Sequence, residues 1–259
     1  MTDIIQAWAE EAAMRIEGTT ALVTGANRGI GKAFADALLE RGAAKVYAAV
    51  RHLATVSDAD PRLVGVQLDV TDADQITAAT REFADVELVV NNPGIARPGT
   101  PLSVALDAAR AELEVNYLGL IATTQAYAPV LAANNGGAVV NVLSVASWVA
   151  SPILSTYSAS KSAAWNFTNS ARVELKRQGT HVVGVFVGFV DTDLTAGLDL
   201  DKVEPAAVAT AAFDAVEAGE PEALVDDFSR GVKAALSDDQ RALYPQVERD
   251  FAKLVGGRA

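Results

Sequence analysis

Tyr157 and Lys161 lie four residues apart in a stretch that the sequence predicts to be helical. Side chains at this spacing project from one face of a helix, so the phenol and the ammonium are expected to lie close together. A nearby positive charge favours the phenolate, so we expect the Tyr157 pKa to fall below its usual value of about 10. Such a tyrosine can give or take a proton at a carbonyl or carbinol group. A lone Tyr-x-x-x-Lys is more often an ordinary amphipathic helix, so other elements must support this interpretation.

A glycine-rich turn near the start of the chain is the second element. Residues 19–24 form an apolar, β-branched run that predicts a buried strand, Gly25-Ala-Asn-Arg-Gly-Ile-Gly31 follows, and a helical pattern continues from Lys32. A strand, a glycine turn and a helix start in this order can hold a pyrophosphate on backbone N–H groups. The spacing is Gly-x-x-x-Gly-x-Gly, which differs from the Gly-x-Gly-x-x-Gly of ordinary dinucleotide-binding folds.

These two motifs and several others together resemble the short-chain dehydrogenase/reductase family, in its single-domain form of about this length. The resemblance covers residues 18–228, and the motifs occur in the order and spacing of the family. The matching segments are Thr24–Gly31, Asp69-Val70, Asn91-Asn-Pro-Gly94, Asn116, Ser144, Tyr157-x-x-x-Lys161 and Gly188-Phe-Val-Asp-Thr192.

Apolar runs and helical segments alternate along the chain, which predicts an α/β fold. We expect a single-domain, doubly wound, Rossmann-like parallel sheet of about seven strands with helices on both faces. The predicted strands are 20–24, 45–50, 63–68, 87–91, 138–143, 181–187 and 222–226. The predicted helices are 29–41, 73–83, 103–132, 157–178 and 205–218, with more helix after 229.

The domain boundaries follow from the same pattern. Residues 18–259 are predicted to form the Rossmann-like catalytic domain, including surface helices at the C-terminal end. Residues 1–17 are interpreted as an N-terminal extension, a short amphipathic helix docked on its own subunit or on a neighbour, because Ile4, Ile5, Trp8, Ala12 and Met14 alternate with acids.

Composition excludes several classes of function. The net charge of −12 argues against nucleic acid, whose binding needs clustered Lys and Arg. The chain has no cysteine and only two histidines, His52 and His181, so we expect no metal site and no disulfide. No apolar run reaches membrane-spanning length and the N-terminus has no basic signal region, which predicts a cytoplasmic protein with no membrane partner.

The resemblance implies a role for each catalytic residue. Tyr157 would be the proton donor and acceptor, and Lys161 would lower its pKa and bind the nicotinamide ribose. Ser144 would hold and polarise the substrate oxygen. Asn116 would support a water that links Lys161 to solvent; taken alone, it reads as a solvent-facing asparagine in mid-helix.

The resemblance also implies a nicotinamide cofactor, and charge indicates NADP(H). Tyr47-Ala-Ala-Val-Arg-His52 offers no carboxylate for a free ribose, whereas Arg51, together with Arg28, suits the extra phosphate. Pro93 and Val187 depart from the family's usual alanine and proline, which leaves the local cofactor geometry open. The predicted cofactor-binding residues are Gly25, Asn27, Arg28, Gly29, Ile30, Gly31, Arg51, Asp69, Val70, Asn92, Gly94, Tyr157, Lys161, Val190 and Thr192.

The leading interpretation is an NADP(H)-dependent oxidoreductase for a small, mainly apolar ketone or aldehyde and its alcohol. The apolar residues expected to line the substrate pocket are Ala146, Trp148, Val149, Ile153, Leu154, Phe189, Leu194 and Leu198. In the family, the helices near 103–132 and 157–178 pair across a twofold axis, so a homodimer or homotetramer is expected.

Two alternatives stay open. A β-ketoacyl-carrier-protein reductase would need a basic docking surface for its acidic partner, yet 129–140 has no basic residue and 191–204 has one lysine among five acids. A non-catalytic cofactor-sensing protein on the same fold is the other alternative, but it would not need the Ser–Tyr–Lys set.

Overall fold

The computed structural model describes residues 13–56 and 60–256. Within them, seven strands form one sheet in which every strand pair is parallel. The strands are β1 Thr20–Thr24, β2 Lys45–Val50, β3 Leu63–Gln67, β4 Leu88–Asn91, β5 Gly137–Val142, β6 Thr180–Phe186 and β7 Glu222–Leu224. The α-helices are α1 Gly29–Glu40, α2 Ala73–Glu82, α3 Leu106–Leu113, α4 Gly119–Ala133, α5 Ser155–Leu175, α6 Pro205–Ala218, α7 Asp227–Ala235, α8 Asp239–Ala242 and α9 Tyr244–Gly256.

The strand order is β3-β2-β1-β4-β5-β6-β7, which confirms the predicted doubly wound, Rossmann-like fold. The order reverses between β1 and β4, which are hydrogen-bonded neighbours. In open α/β sheets, ligands bind at such a switch point, outside the carboxyl ends of the strands. The loops that follow β1, β4, β5 and β6 therefore meet at one edge.

Apolar residues cover both faces of the sheet. Every residue of β1 and β4 is buried, as near-continuous apolar runs predict for strands covered on both sides. On one face, the rings of Phe34 on α1 and Phe213 on α6 meet edge to face, 5.3 Å apart. On the other face, Tyr127 and Leu131 of α4 are fully buried. This double-sided core holds the carboxyl edge of the sheet in place.

The observed strand boundaries lie within two residues of the predicted ones. The largest difference concerns the helix predicted at 103–132. It is divided into α3 and α4 by a π-helical turn, Glu114–Leu118. A π turn contains an extra residue and is frequently found at functional sites. The sequence does not reveal it, because the flanking helical periodicity tolerates either helix type.

The segment that precedes β1 is described only from residue 13. The predicted N-terminal helix therefore lies largely outside the described residues. Residues 13–16 lead toward β1 without helical structure, and Ile16 is fully buried. The Met14 N–H donates to the Val216 carbonyl over 3.4 Å, so this part packs on the chain's own α6.

None of the helices in residues 13–56 and 60–256 is both long and apolar enough to cross a membrane. Over the same residues, no group of three or more His, Asp or Glu side chains is placed to hold a metal ion.

Candidate active site

The π turn directs the Asn116 side chain into the interior, where it is buried. Its Oδ1 accepts a hydrogen bond from the Ile95 N–H at 2.8 Å, and its Nδ2 donates to the Ile95 carbonyl at 2.9 Å. The same Nδ2 donates to Ser160 Oγ at 2.9 Å, and Ser160 Oγ donates to the Tyr157 carbonyl at 2.7 Å. Asn116 thus ties the loop after β4 to α5 and does not face solvent, unlike an ordinary asparagine in mid-helix.

Three of the four residues predicted for catalysis, Ser144, Tyr157 and Lys161, come together at the carboxyl end of β5. Ser144 follows this strand, and Tyr157 and Lys161 lie in the first two turns of α5. Lys161 is 4% exposed and its Nζ donates to the Val142 carbonyl at 2.9 Å. The same Nζ lies 5.9 Å from the centroid of the Tyr157 ring. Ser144 is buried as well.

Burial is the largest influence on the pKa values of Tyr157 and Lys161. Burial raises the Tyr157 pKa, against the hydrogen bond from Ser144, which lowers it, while the negative charge of Glu112 raises it further. Burial lowers the Lys161 pKa to about 8. The predicted fall of the Tyr157 pKa below its usual value is therefore wrong: burial raises this pKa, and Lys161 does not reverse the rise. The physical reason is that desolvation disfavours both charged forms, and the ammonium is bonded to a carbonyl instead of the phenol.

A small cavity lies between Lys161 and Asn116. Its volume is about 10 Å³, and its polar lining also includes Asn91. This is close to the smallest volume that holds one water molecule, and a buried water needs two or more polar partners. The cavity therefore has the size and the lining for a single bound water.

The glycine turn forms a cradle that side chains would fill. A Cβ atom on Gly31 would lie 2.1 Å from the Gly25 carbonyl oxygen, so only glycine permits this close approach. The first turn of α1 contains no acidic residue, and Arg28 at its N-cap makes no side-chain capping bond. The free N–H groups of this helix start suit an anion. The turn, which also contains Asn27, Gly29 and Ile30, thus fits a pyrophosphate.

Asn92 connects the two loops at the switch point. Its N–H donates to Thr24 Oγ1 and its Nδ2 donates to the Thr24 carbonyl, both at 3.1 Å. Beyond Pro93, which lines the cavity, a Cβ on Gly94 would lie 3.6 Å from Lys161 Nζ. The backbone of this loop therefore runs from the glycine turn directly to the catalytic residues.

The two arginines predicted to bind phosphate have different surroundings. Arg51 follows β2, is exposed, and has no ion pair or hydrogen bond among the described residues. Arg28 Nη1 instead forms an exposed ion pair with Asp193 Oδ2 at 2.7 Å. Both arginines were predicted to be free to bind phosphate. In the structure, Arg28 is instead paired with Asp193, in the loop after β6.

That loop carries Val190 and Thr192 and is held at both ends. The Asp191 N–H donates to the Val203 carbonyl at 2.9 Å. The Gly188 N–H donates to Asp226 Oδ2 at 2.9 Å. Thr192 faces the glycine turn, since a Cβ on Gly29 would lie 3.2 Å from its Cγ2. These contacts restrain the loop that follows Val187.

The remaining predicted residues divide between the cleft and the core. Val70 is buried and packs tightly on Gly119, and Asp69 Oδ1 accepts from the Thr71 N–H at 3.0 Å. Trp148, predicted as a pocket wall, instead stacks on Phe186 with ring centroids 4.0 Å apart. Its place in an aromatic cluster was not predicted, because pocket and core use the same residue types.

The apolar residues of the loop after β6 remain open to solvent. Phe189, Leu194 and Leu198 are 36%, 53% and 47% exposed. These side chains are therefore available to a substrate. Glu112 is the main site residue that the sequence analysis missed; the only signal was an acid one helical turn before Asn116.

Comparisons with known proteins agree with this geometry. Residues 19–203 match the family model described as short chain dehydrogenase. A curated relative, the cis-4-hydroxycyclohexanecarboxylate dehydrogenase of Sinomonas cyclohexanicum, is 39% identical over 192 residues, which cover 70% of this chain and 77% of the relative. A 3-oxoacyl-[acyl-carrier-protein] reductase of Synechocystis is 32% identical, with 71% and 78% covered. A solved short chain dehydrogenase from Burkholderia cenocepacia in complex with NADP is 39% identical with a TM-score of 0.86, covering 90% of this chain and 99% of that one.

Proposed function

Because this chain belongs to the short-chain dehydrogenase/reductase family and is thus an oxidoreductase of alcohol and carbonyl substrates, we propose that it uses NADP(H). We further propose that its substrate is a small, mainly apolar ketone or aldehyde, or the corresponding alcohol. The observation that carries the proposal is the meeting of Ser144, Tyr157 and Lys161 at the carboxyl end of β5.

The proposed chemistry assigns one task to each side chain. When bound, the cofactor supplies or accepts the hydride. The Ser144 hydroxyl holds the substrate oxygen, and the Tyr157 hydroxyl gives it a proton during reduction or takes one during oxidation. The Lys161 ammonium favours the phenolate once a proton has left. Asn116 and a water in the adjoining cavity return protons to Lys161.

The proposed NADP preference is supported by local charge. Arg51 follows β2 without any partner in the described part of the chain, where it can meet a 2′-phosphate. The solved Burkholderia cenocepacia relative contains NADP. The pyrophosphate would rest on the glycine turn, the adenine between Asp69 and Val70, and the nicotinamide near Val190 and Thr192.

The substrate class is supported by the exposed apolar side chains of the loop after β6. The name of the Sinomonas relative specifies an alcohol on a six-membered carbon ring, which is mainly apolar. The 3-oxoacyl-[acyl-carrier-protein] reductases among the relatives favour a second candidate, reduction of a carrier-bound ketone. Residues 191–204, in the loop after β6, contain five acids and one lysine, and Asp193 is exposed. This charge would repel an acidic carrier protein, so we rank that candidate below a free ketone.

The experiment is a substrate panel with matched cofactors. Purified protein is assayed by absorbance of the reduced cofactor with cyclic and linear ketones, their alcohols, and a 3-oxoacyl group on carrier protein or on a small thiol. We expect turnover of free ketones and a higher kcat/KM with NADPH than with NADH. Turnover of the carrier-bound substrate alone would select the second candidate. No cofactor oxidation with any carbonyl would support a non-catalytic role.

Assembly into a homodimer or homotetramer is part of the proposal. Within these helices, Leu120 is 7% exposed and belongs to the core. The apolar residues left at the surface of this region are Leu106, Leu113, Leu118 and Val173. Sedimentation at micromolar concentration tests this expectation, and a stable monomer would contradict it.

A further inference from the structure

Helix α3 buries one residue within its bounds, and that residue is a glutamate. Glu112 is 0% exposed, whereas Leu106 and Leu113, at the two ends of the same helix, are 70% and 39% exposed. A surface helix normally buries its apolar side chains. The inverted pattern indicates that the carboxylate has a task at this position.

The two oxygens of Glu112 have different surroundings. Oε1 accepts a hydrogen bond from the Arg97 N–H at 2.6 Å. Oε2 is buried and has no hydrogen-bond partner among the described residues. A glutamine could accept the same bond through its carbonyl oxygen, without the cost of burying a charge. Anchoring the Arg97 backbone therefore does not explain why the residue is an acid.

The position of Glu112 joins the loop after β4 to the catalytic helix. Arg97 lies in this loop two residues after Ile95, which Asn116 holds from both sides. Two residues further on, the Gly99 N–H donates to the Ile153 carbonyl at 2.9 Å, directly before α5. Helix α3 also packs against α5, the helix that carries Tyr157. It thus holds the loop after β4 against the start of α5.

From these contacts, we propose that Glu112 is a positioning residue for the reaction. Its bound oxygen fixes the loop after β4 through Arg97, and, because α3 packs against α5, its second oxygen sets a negative potential near Tyr157. The inference rests on the proposed function, because it acts through Tyr157 as the proton donor. In agreement with it, the charge of Glu112 contributes to raising the Tyr157 pKa.

The other charged and titratable groups near this pair come from several elements. Lys161 lies on α5 with its Nζ 5.9 Å from the Tyr157 ring centroid. On α3, Asp107 and Arg110 form an exposed ion pair that neutralises both charges. Glu114, in the π turn, is exposed. Glu112 is therefore the buried acid of this group.

A negative potential at Tyr157 has opposite consequences for the two directions of reaction. It keeps the proton on the phenol, which suits donation to a carbonyl during reduction. Oxidation needs the phenolate, so its rate rises with pH through the Tyr157 pKa. Removing the negative charge should lower that pKa and move the pH profile of both directions to lower pH.

The test separates the charge of Glu112 from its hydrogen bond. Glu112→Gln keeps an acceptor for Arg97 and removes the charge; its pH profile of kcat/KM should move to lower pH with little change at the maximum. Glu112→Asp keeps the charge on a shorter side chain that does not reach Arg97; its profile should stay in place while kcat/KM falls about tenfold or more. Glu114→Gln makes the same charge change at an exposed site and is the matched control, with an unmoved profile.

Each failure has a distinct meaning. A profile of Glu112→Gln that coincides with that of the unmodified protein, or a shift of equal size in Glu114→Gln, would overturn the inference while leaving the proposed function intact. Retained activity in Tyr157→Phe would instead overturn the proposed function. Where Glu112→Gln fails to fold, as judged by circular dichroism, Glu112→Asp decides: a kcat/KM equal to that of the unmodified protein would overturn the positioning role.

Discussion

The proton-transfer end and the phosphate end of the cofactor cleft differ in how far their side chains are exposed to solvent. At the proton-transfer end, Lys161 and Asn116 are 4% and 2% exposed and each is held by hydrogen bonds. At the phosphate end, Arg28 and Arg51 are exposed, and Arg28 is held only by a surface ion pair. Buried groups act through fixed geometry and shifted pKa values, whereas exposed cations act through screened charge. Substitutions should therefore have much larger effects at the first end.

The largest effect is expected from Tyr157→Phe, which removes the ionisable oxygen at the buried end. We expect turnover to fall by about 10²–10⁴-fold or more, because a positioned acid–base group typically contributes that much. Cofactor affinity, measured by fluorescence titration, should stay nearly constant. Tyr127→Phe is a matched control, since that buried hydroxyl has no hydrogen-bond partner in the described residues. Comparable losses in both variants would show that packing, not proton transfer, is affected.

Lys161→Met should abolish turnover and make the folded protein more stable. Burial lowers the Lys161 pKa from 10.5 to about 8, so between those pH values the unfolded chain binds more protons than the folded one. The cost of the buried lysine is thus complete below pH 8 and disappears as pH rises toward 10.5. At pH 7 the variant should gain up to about 3 kcal/mol in free energy of unfolding.

Denaturant unfolding of cofactor-free protein between about pH 7 and pH 9.5 measures this gain. The stability of the unmodified protein, compared with that of the variant, should rise across the range. Lys253→Met, at an exposed lysine, is the control. A variant that is less stable than the unmodified protein at pH 7 would show that the bond to the Val142 carbonyl outweighs the cost of burial.

A smaller effect is expected at the exposed end from Arg51→Asp. Loss of one charged hydrogen bond costs about 2 kcal/mol, or some thirtyfold in NADPH affinity, and repulsion adds to it. The new carboxylate can accept hydrogen bonds from a free ribose, so the preference should invert toward NADH. The measurement is kcat/KM with both cofactors at low and physiological salt, with Arg177→Asp as a control for net charge. An unchanged cofactor ratio would exclude Arg51 as the phosphate-binding residue.

The smallest effect is expected from Asp193→Asn, which releases Arg28 from its ion pair. An exposed ion pair is worth about 0–1 kcal/mol, so NADPH affinity should rise by at most about fivefold. NADH affinity should not change. An equal rise for both cofactors would show that the pair closes the cleft rather than competing with the phosphate.

The sequence predicted the sheet well because its strands are buried on both faces. Apolar runs such as β1 and β5 have the same length in sequence and structure to within one residue. The grouping of Ser144, Tyr157 and Lys161 was predictable as well, since two of them share a helix and the third ends a neighbouring strand.

What the sequence did not reveal depends on contacts between distant segments. The pairing of Arg28 with Asp193 joins residues 165 positions apart. The direction of the Tyr157 pKa shift depends on desolvation, which no local pattern records. The role of Glu112 requires the π turn, because an acid on an exposed helix ordinarily faces water.

The π turn at Glu114–Leu118 also makes this region sensitive to changes in chain length. Successive residues of a helix are rotated by about 100°. An extra residue in one turn therefore changes the direction in which the side chains before the turn point, relative to those after it. Deleting a single residue there, such as Val115, would restore a regular helix and leave Asn116 facing the site. Glu112 would then rotate away from Arg97. Relatives with and without this extra residue are therefore expected to differ in whether an interior acid accompanies the catalytic tyrosine.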